Sequence, residues 1–409
     1  MTEFIRMAPV SRRTFIKGAT ALAAMQSASM ARPQRSSSKL LAFVGTYTDA
    51  VGNLGNGEGI YALDFDPATG ELGHARLAAK TASPSWTAIH PSRKYLYAAN
   101  EVADFDGNSG SVSAFAIDAA TGMLTAINKV SSQGAGPAYL SIHPAGNFAF
   151  VANYGGGSIA VFPILPSGAL GPPTDIHRDS GELGSAHATH APAGSFAISG
   201  HDAPHAHMIA ADPRGKFVLA SDLGQDRIYV YRFDASLGKL LPAAVPFVAL
   251  PPGDGPRHFV FHPNGQWLYS IQEEASTIAS FAYDARTGGL SPRQTISTLP
   301  EGFTGTSFAS EILISGDGRF LYAGNRLHDT IACFSIAPNG GLKWIGETST
   351  MGDYPSQCCI DPAGNFLFAC NRRSDSITSF RINRATGLLA FTGKYAPMGS
   401  PGSIRFFEG

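Results

Sequence analysis

The sequence is short of charge. Thirty Lys and Arg stand against 31 Asp and Glu in 409 residues, a net charge of −1 with 15% of positions charged. That balance leaves no basic footprint for nucleic acid, whose binding rests on neutralising phosphates. Long apolar runs are missing as well. The apolar stretch from Gly18 to Met25 falls far short of the ~20 residues that cross a bilayer, and no other candidate span is present. Cysteine is scarce: Cys333, Cys358, Cys359 and Cys370 have no metal-ligand spacing and fall inside predicted strands, which reads as buried thiols acting as small hydrophobes. No G-x-S-x-G elbow, H-E-x-x-H pair, Walker loop or dinucleotide fingerprint occurs, so no metal and no cofactor is expected. Beyond the N-terminal region no window holds a convincing helical period, which argues against an α-helical or α/β fold.

What is abundant is turn chemistry. Forty-six glycines and 27 prolines punctuate a repeat. One block recurs six times: "HPSRKYLYAANE" at His90, "HPAGNFAFVANY" at His143, "DPRGKFVLASDL" at Asp212, "HPNGQWLYSIQE" at His262, "SGDGRFLYAGNR" at Ser315 and "DPAGNFLFACNR" at Asp361. A second block of the type "SVSAFAIDAATGML" follows each, and a seventh copy, "GIYALDFDPATGEL" from Gly59, precedes them all. Both blocks alternate apolar and polar residues, the pattern of half-buried strands. In His-Pro-x-Gly, proline presets φ for a type I turn and glycine takes the positive-φ position after it. Each unit therefore reads as four strands: a before His-Pro, b after it, then c and d.

Units of about 50 residues with four strands predict an all-β fold, a seven-bladed β-propeller. The first unit lacks its own strand a. The C-terminal run Ser400–Phe406, "SPGSIRF", matches the strand-a openings "SPSWTAI" and "GPAYLSI" and would close the ring by joining both chain ends in blade 1. The propeller is placed at 39–409. Residues 1–38 read as a leader. Ser11-Arg12-Arg13-Thr14-Phe15-Ile16-Lys17, the apolar stretch and the small residues up to Ala31 make a twin-arginine export signal, with 32–38 a flexible lead-in and the periplasm the expected location.

Aligning the units on His-Pro exposes where they differ. Five residues upstream stand Ser85, Ala138, His207, Arg257, Ser310 and Ser356; four upstream stand Trp86, Tyr139, Met208, His258, Glu311 and Gln357. The exits of strand b carry Asn100-Glu101, Asn153-Tyr154, Asp222-Leu223, Gln272-Glu273, Asn325-Arg326 and Asn371-Arg372. In an up-and-down blade these positions share one face near the axis, so varied polar groups gather at one channel mouth, the default place for a site. Asn at a strand exit is also an ordinary turn residue, and Arg257 with Glu273 also reads as a structural clamp between blades. A wider spacing between units 3 and 4 marks an insertion at about 175–204 holding His177, His187, His190 and His201. It reads as a polar lid loop, with His205 and His207 projecting to one side where a cation would fit.

At this point "PHAHMIAADPRGKFVLASDLGQDRIYVYRFD", "GPRHFVFHPNGQWLY", "TLPEGFTG" and "SGDGRFLYAGNRLHDTIACF" resemble the bacterial seven-bladed 6-phosphogluconolactonase family, itself similar to the fungal carboxymuconate cyclases. The resemblance covers about 41–409. It implies catalytic positions at His207, Arg257, Glu273 and Arg326, the positions the alignment of blades picks out. His205, His258, Glu311, Asn325 and Asp222 are the expected substrate-binding neighbours. The implied activity is hydrolysis of a small sugar or acid lactone. Arg257 and Arg326 would hold a phosphate or carboxylate, and Glu273 or His207 would activate water. A lactone-forming cycloisomerase and a non-catalytic binding propeller are the alternatives. The leader yields the first test. Replacing Arg12 and Arg13 by Lys should abolish appearance of the protein in a periplasmic fraction.

Overall fold

The structure, a computed structural model, describes residues 40–50, 53–195 and 200–409; the segment expected to be an export signal and its lead-in lie outside the described residues. Among the described residues every regular element is a strand, and no helix is long and apolar enough to cross a membrane. Seven antiparallel sheets follow in sequence, each with the order a-b-c-d. Blade 5 is typical: a is Pro256–Phe261, b is Trp267–Gln272, c is Thr277–Asp284 and d is Gly289–Ser297. Blade 1 takes its innermost strand from the other end of the chain. Leu40–Thr46 pairs antiparallel with Pro401–Glu408, in register from Leu40↔Glu408 to Gly45↔Ser403. Each strand a also packs against the strand a of both neighbours, round a complete circle.

The apolar residues that alternate along the strands do not form one core. They form seven clusters, one in each blade–blade interface. At the closure, Phe366 and Phe368 of blade 7 meet Phe65 of blade 1, with Ile404 beside them. Each such ring removes enough surface from water to stabilise by roughly 1.5–3 kcal/mol, so the seam is packed as well as hydrogen-bonded. The four cysteines are free. Cys333 and Cys358 belong to the blade 6–7 cluster and Cys370 to the blade 7–1 cluster. Burial pushes every thiol up, that of Cys359 to about 11, so they act as apolar filler.

The His-Pro turns do more than turn. His90 Nε2 meets the Gly146 carbonyl of the next blade at 2.7 Å, His143 meets that of Gly215 at 3.0 Å, and His262 meets that of Gly318 at 2.9 Å. Each histidine thus staples its own turn to the following one. Gly146 is required twice over. Its φ is +77°, and a Cβ there would stand 2.8 Å from His90 Nε2.

The insertion departs from its expected bounds. Residues Asp175–Arg178 are strand d of blade 3, pairing with Ser158–Val161, and His177 sits there against Asp175 and the Tyr231 ring. The inserted loop begins at Asp179. It is fastened over blades 4 and 5 by His201···Asp226 at 3.2 Å, His190···Asp254 at 3.2 Å and Gly184 N–H donating to the Gly224 carbonyl.

Ring closure is testable by deletion of 400–409. That removes the inner strand of blade 1 and bares strand edges on both sides of the seam. The truncated chain should aggregate or lose a single cooperative thermal transition in calorimetry.

Candidate active site

The position five residues before each His-Pro turn is where strand a falls out of register with strand b. In blade 4, Ala206 pairs with Asp222 and Met208 with Ser221, leaving His207 with no partner across the ladder. Gly402, Ala138 and Ser356 are left over in the same way in blades 1, 3 and 7. In blades 5 and 6 the pairs Arg257-His258 and Ser310-Glu311 each face a single residue of strand b. In blade 2 the ladder begins only at Trp86, just beyond Ser85. A bulge releases a side chain from the ladder and re-aims it. Seven such releases around a channel produce an inner ring of variable residues.

A second ring comes from the strand-b exits. Its members are Tyr47, Glu101, Tyr154, Leu223, Glu273, Arg326 and Arg372. Six residues of each ring, with Trp86, His258 and Tyr354, line one cavity of about 170 Å³. Drug-sized ligands occupy ~300–1,000 Å³, so the cavity admits a small molecule. A wider cleft of about 730 Å³ opens beside it and shares Tyr354 and Arg372. Charge is concentrated in the smaller cavity.

There Glu273 Oε2 stands 2.9 Å from Arg257 Nε and 2.7 Å from Arg326 Nη2, with all three side chains about nine-tenths buried. The Arg257 contact is a close charge–charge approach; neither Arg257 Nε nor Glu273 Oε2 makes a well-aligned hydrogen bond. Blade 6 anchors both guanidiniums: Arg257 donates to the Ser310 carbonyl, and Arg326 to the carbonyls of Ala309 at 3.2 Å and Phe308 at 3.4 Å. His207 and His258 pack edge to face at 5.0 Å. Burial first, then the Arg257 charge, holds both imidazoles well below the usual histidine range, so both are neutral at neutral pH. His207 Nδ1 is buried without a hydrogen-bond partner. His258 Nδ1 meets Glu311 Oε1 at 3.1 Å, and burial pushes the Glu311 carboxyl up to about 7 against the pull of Arg257 and Arg405.

The structure brings His207, Arg257, Glu273 and Arg326 together on the cavity wall, with His258 beside them. The other expected contacts lie elsewhere. His205 stacks on the Tyr154 ring at 4.3 Å with its nitrogens on the Tyr154 carbonyl and Asp202, so it backs the wall. Glu311 stands behind His258. Asn325 is spent on Thr298, donating to its carbonyl and accepting from its hydroxyl, both at 2.7 Å. Asp222 accepts the amides of His205 and Gln225 and faces Asp179, whose carboxyl burial and the Asp222 charge push up to about 9. The first exit residue of blades 2, 3, 4, 6 and 7 is thus a structural lock, and the second one faces the cavity in every blade but the fourth. Among the described residues no group of His, Cys, Asp or Glu is arranged to hold a metal ion, and His205 and His207 flank Tyr154 instead of sharing a cation.

Residues left out of the expected site are Tyr47, Glu101, Tyr154, Arg372, Trp86 and Tyr354. Four of them stood in the aligned columns. Reading the second exit residue across all blades, instead of selecting within it, would have found Glu101, Tyr154 and Arg372. Tyr354 precedes the proline that opens strand a, the positive-φ place that Ser83, Gly136, Gly255 and Ser400 hold in other blades, so it too stands in a repeat column.

Comparison with known proteins places these residues in context. Residues 41–406 match the model of a family described as "Lactonase, 7-bladed beta-propeller". A 6-phosphogluconolactonase of Bacillus subtilis is 32% identical over 316 residues, 77% of this chain and 83% of the relative. The structure of a putative 6-phosphogluconolactonase from Bacteroides fragilis superposes with a TM-score of 0.81 at 32% identity, covering 92% of this chain and all of the other. A periplasmic gluconolactonase from Pseudomonas aeruginosa gives a TM-score of 0.82 at 30% identity, covering 90% of this chain and 99% of that one.

Two substitutions separate the cavity from its scaffold. Glu273→Ala leaves two buried guanidiniums facing each other and should lower stability by about 3–5 kcal/mol. Added acetate, small enough to enter the cavity, should restore part of that loss in urea melts. Asn325→Ala leaves buried groups on Thr298 unpaired and should lose about 1–3 kcal/mol, with no recovery in acetate.

Proposed function

Because the chain belongs to the seven-bladed β-propeller lactonase family, we propose that it hydrolyses a small anionic or sugar lactone in the cavity between His207 and the Arg257–Glu273–Arg326 cluster. The observation that carries this reading is the surplus of cationic charge around a buried space of substrate size. One carboxylate, Glu273, faces two guanidiniums, so the cluster keeps a net positive charge that a carbonyl oxygen becoming an oxyanion would neutralise. The family relatives named as 6-phosphogluconolactonases favour hydrolysis over the lactone-forming reverse reaction.

The chemistry follows from the charge states. A neutral imidazole with an unpartnered nitrogen is able to take a proton, whereas Glu273 is occupied by the two guanidiniums it faces. His207 therefore takes a proton from water as the water oxygen adds to the lactone carbonyl carbon. Arg257 and Arg326, positioned by Glu273 and by blade 6 carbonyls, hold the developing oxyanion. Collapse of the tetrahedral intermediate breaks the ring C–O bond and gives the hydroxy acid. An anionic substituent would extend toward Arg372, where the cavity meets the wider cleft. Export to the periplasm belongs to the same proposal. It is supported by the Arg12-Arg13 segment and by the periplasmic relative.

The mature chain should hydrolyse members of a lactone panel in a pH-stat assay; inactivity toward every sugar and acid lactone would overturn the reading. His207→Ala should lose ~10²–10⁴-fold in kcat/KM. The pH profile carries a sign. The base acts when neutral, so the rate falls as pH drops through its pKa. Since burial and Arg257 depress that pKa, the acid limb should lie below the ordinary histidine value of 6.5.

A further inference from the structure

Glu101 occupies the same repeat position as Glu273, the second residue of the strand-b exit, but in blade 2 instead of blade 5. In a ring of seven, three blades' separation puts the two carboxyls on nearly opposite sides of the axis, and both line the cavity. Their surroundings differ. Glu273 is flanked by two guanidiniums. Glu101 Oε2 accepts a hydrogen bond from the Tyr47 hydroxyl at 3.0 Å. The groups facing Glu101 are Tyr47 from blade 1, Ser85 from its own blade, Arg372 from blade 7 and Arg257 from blade 5. Arg372 lies over the Tyr47 ring, 3.5 Å from its centroid, which fixes the phenol.

We infer that Glu101 is the general acid of the reaction, protonating the ring oxygen of the lactone as its C–O bond breaks. The inference rests on the hydrolase reading above and assigns the step that reading leaves open. The electron balance is simple. Water supplies oxygen to the carbonyl carbon and a proton to His207. The electron pair of the breaking C–O bond stays on the ring oxygen, which takes the Glu101 proton. The His207 proton then returns to Glu101 through solvent, and the hydroxy acid leaves as a carboxylate and a proton. Burial lifts the Glu101 carboxyl above the usual range, while Ser85, Tyr47, Arg372 and Arg257 restrain the shift and stabilise the carboxylate that remains after donation. Two carboxyls with unlike environments in one cavity are a familiar way to divide roles. A class of substrate follows. An acid is needed only where the leaving oxygen is a poor leaving group, as in lactones of aliphatic hydroxy acids. Lactones that expel a phenol need none.

The test is Glu101→Gln, which keeps an acceptor for Tyr47 and removes the proton. On an aliphatic sugar δ-lactone, kcat/KM should fall ~10²–10⁴-fold, while on dihydrocoumarin, which expels a phenol, the change should stay within about threefold. The wild-type rate on the aliphatic lactone should also decline as pH rises through the raised Glu101 pKa, because the acid works only while protonated, and that limb should vanish in the variant. Equal losses on both lactones, or no loss on either, would overturn the assignment and leave the hydrolase reading standing. Wild-type inactivity toward every aliphatic and phenol-expelling lactone of the panel would instead overturn the hydrolase reading, and this role with it. Infrared spectra give a readout independent of turnover. At the pH of maximal activity the wild-type spectrum should show one protonated carboxyl more than that of Glu101→Gln, beyond the contributions of Asp179 and Glu311 that both proteins share; equal carboxyl absorption in the two would overturn the assignment.

Discussion

One buried carboxylate faces two buried guanidiniums, and the electrostatics of the cavity follow from that imbalance. Removing ions from water is unfavourable unless opposite charge is close by. Glu273 meets part of that demand for Arg257 and Arg326, and the carbonyls of Phe308, Ala309 and Ser310 meet more of it. The remainder acts on the neighbours. Arg257 helps keep His207 and His258 neutral and draws Glu101 and Glu311 back toward ionisation against their own burial. Burial and this residual charge together shift the charge states of several groups in and behind one cavity.

The backbone makes that arrangement possible without sacrificing the blades. A propeller needs alternating apolar residues in every strand to fill its interfaces, which leaves little room for charge along a strand. The register break at the entry of strand a provides room. It frees one position per blade from the pleat, so the residue there varies from Gly402 to Arg257 while the residues on either side keep their packing. Variation is confined to these short segments, and in blades 2, 3 and 5 a His-Pro staple ties the other end of strand a to the following blade whatever stands in the bulge.

This division explains what could be read from the chain. The turns, the period, the seven blades and the borrowed strand were legible because each repeats, and repetition makes local signals additive. His207, Arg257, Glu273 and Arg326 were legible as departures from the repeat. The structure places some of the expected neighbours away from the cavity. Asn325 and Asp222 stand at exits, yet the first exit residue bonds back to the connection that precedes its blade, a distinction of side-chain direction that spacing does not carry. His177 looked like part of a lid because the short strand Asp175–Arg178 has too few residues to show alternation. Tyr354 escaped notice because the column just before strand a is held elsewhere by small turn residues such as Gly136, Gly255 and Ser400, which give no hint of a side chain reaching the cavity.

The seam in blade 1 has a consequence for the order of events during synthesis. Leu40–Thr46 emerges first among the described strands, and its inner partner, Pro401–Glu408, emerges last. Contacts between such distant segments carry a loop-closure penalty that local hairpins avoid, and they form slowly. Blades 2 to 7 are each able to assemble as they leave the ribosome, because each is contiguous. The cavity, whose wall includes Gly402 and Tyr47 from either side of the seam, cannot be complete until Pro401–Glu408 has been made. A chain that stops short of that strand carries six contiguous blades and an open cavity, which the last strand closes in one step.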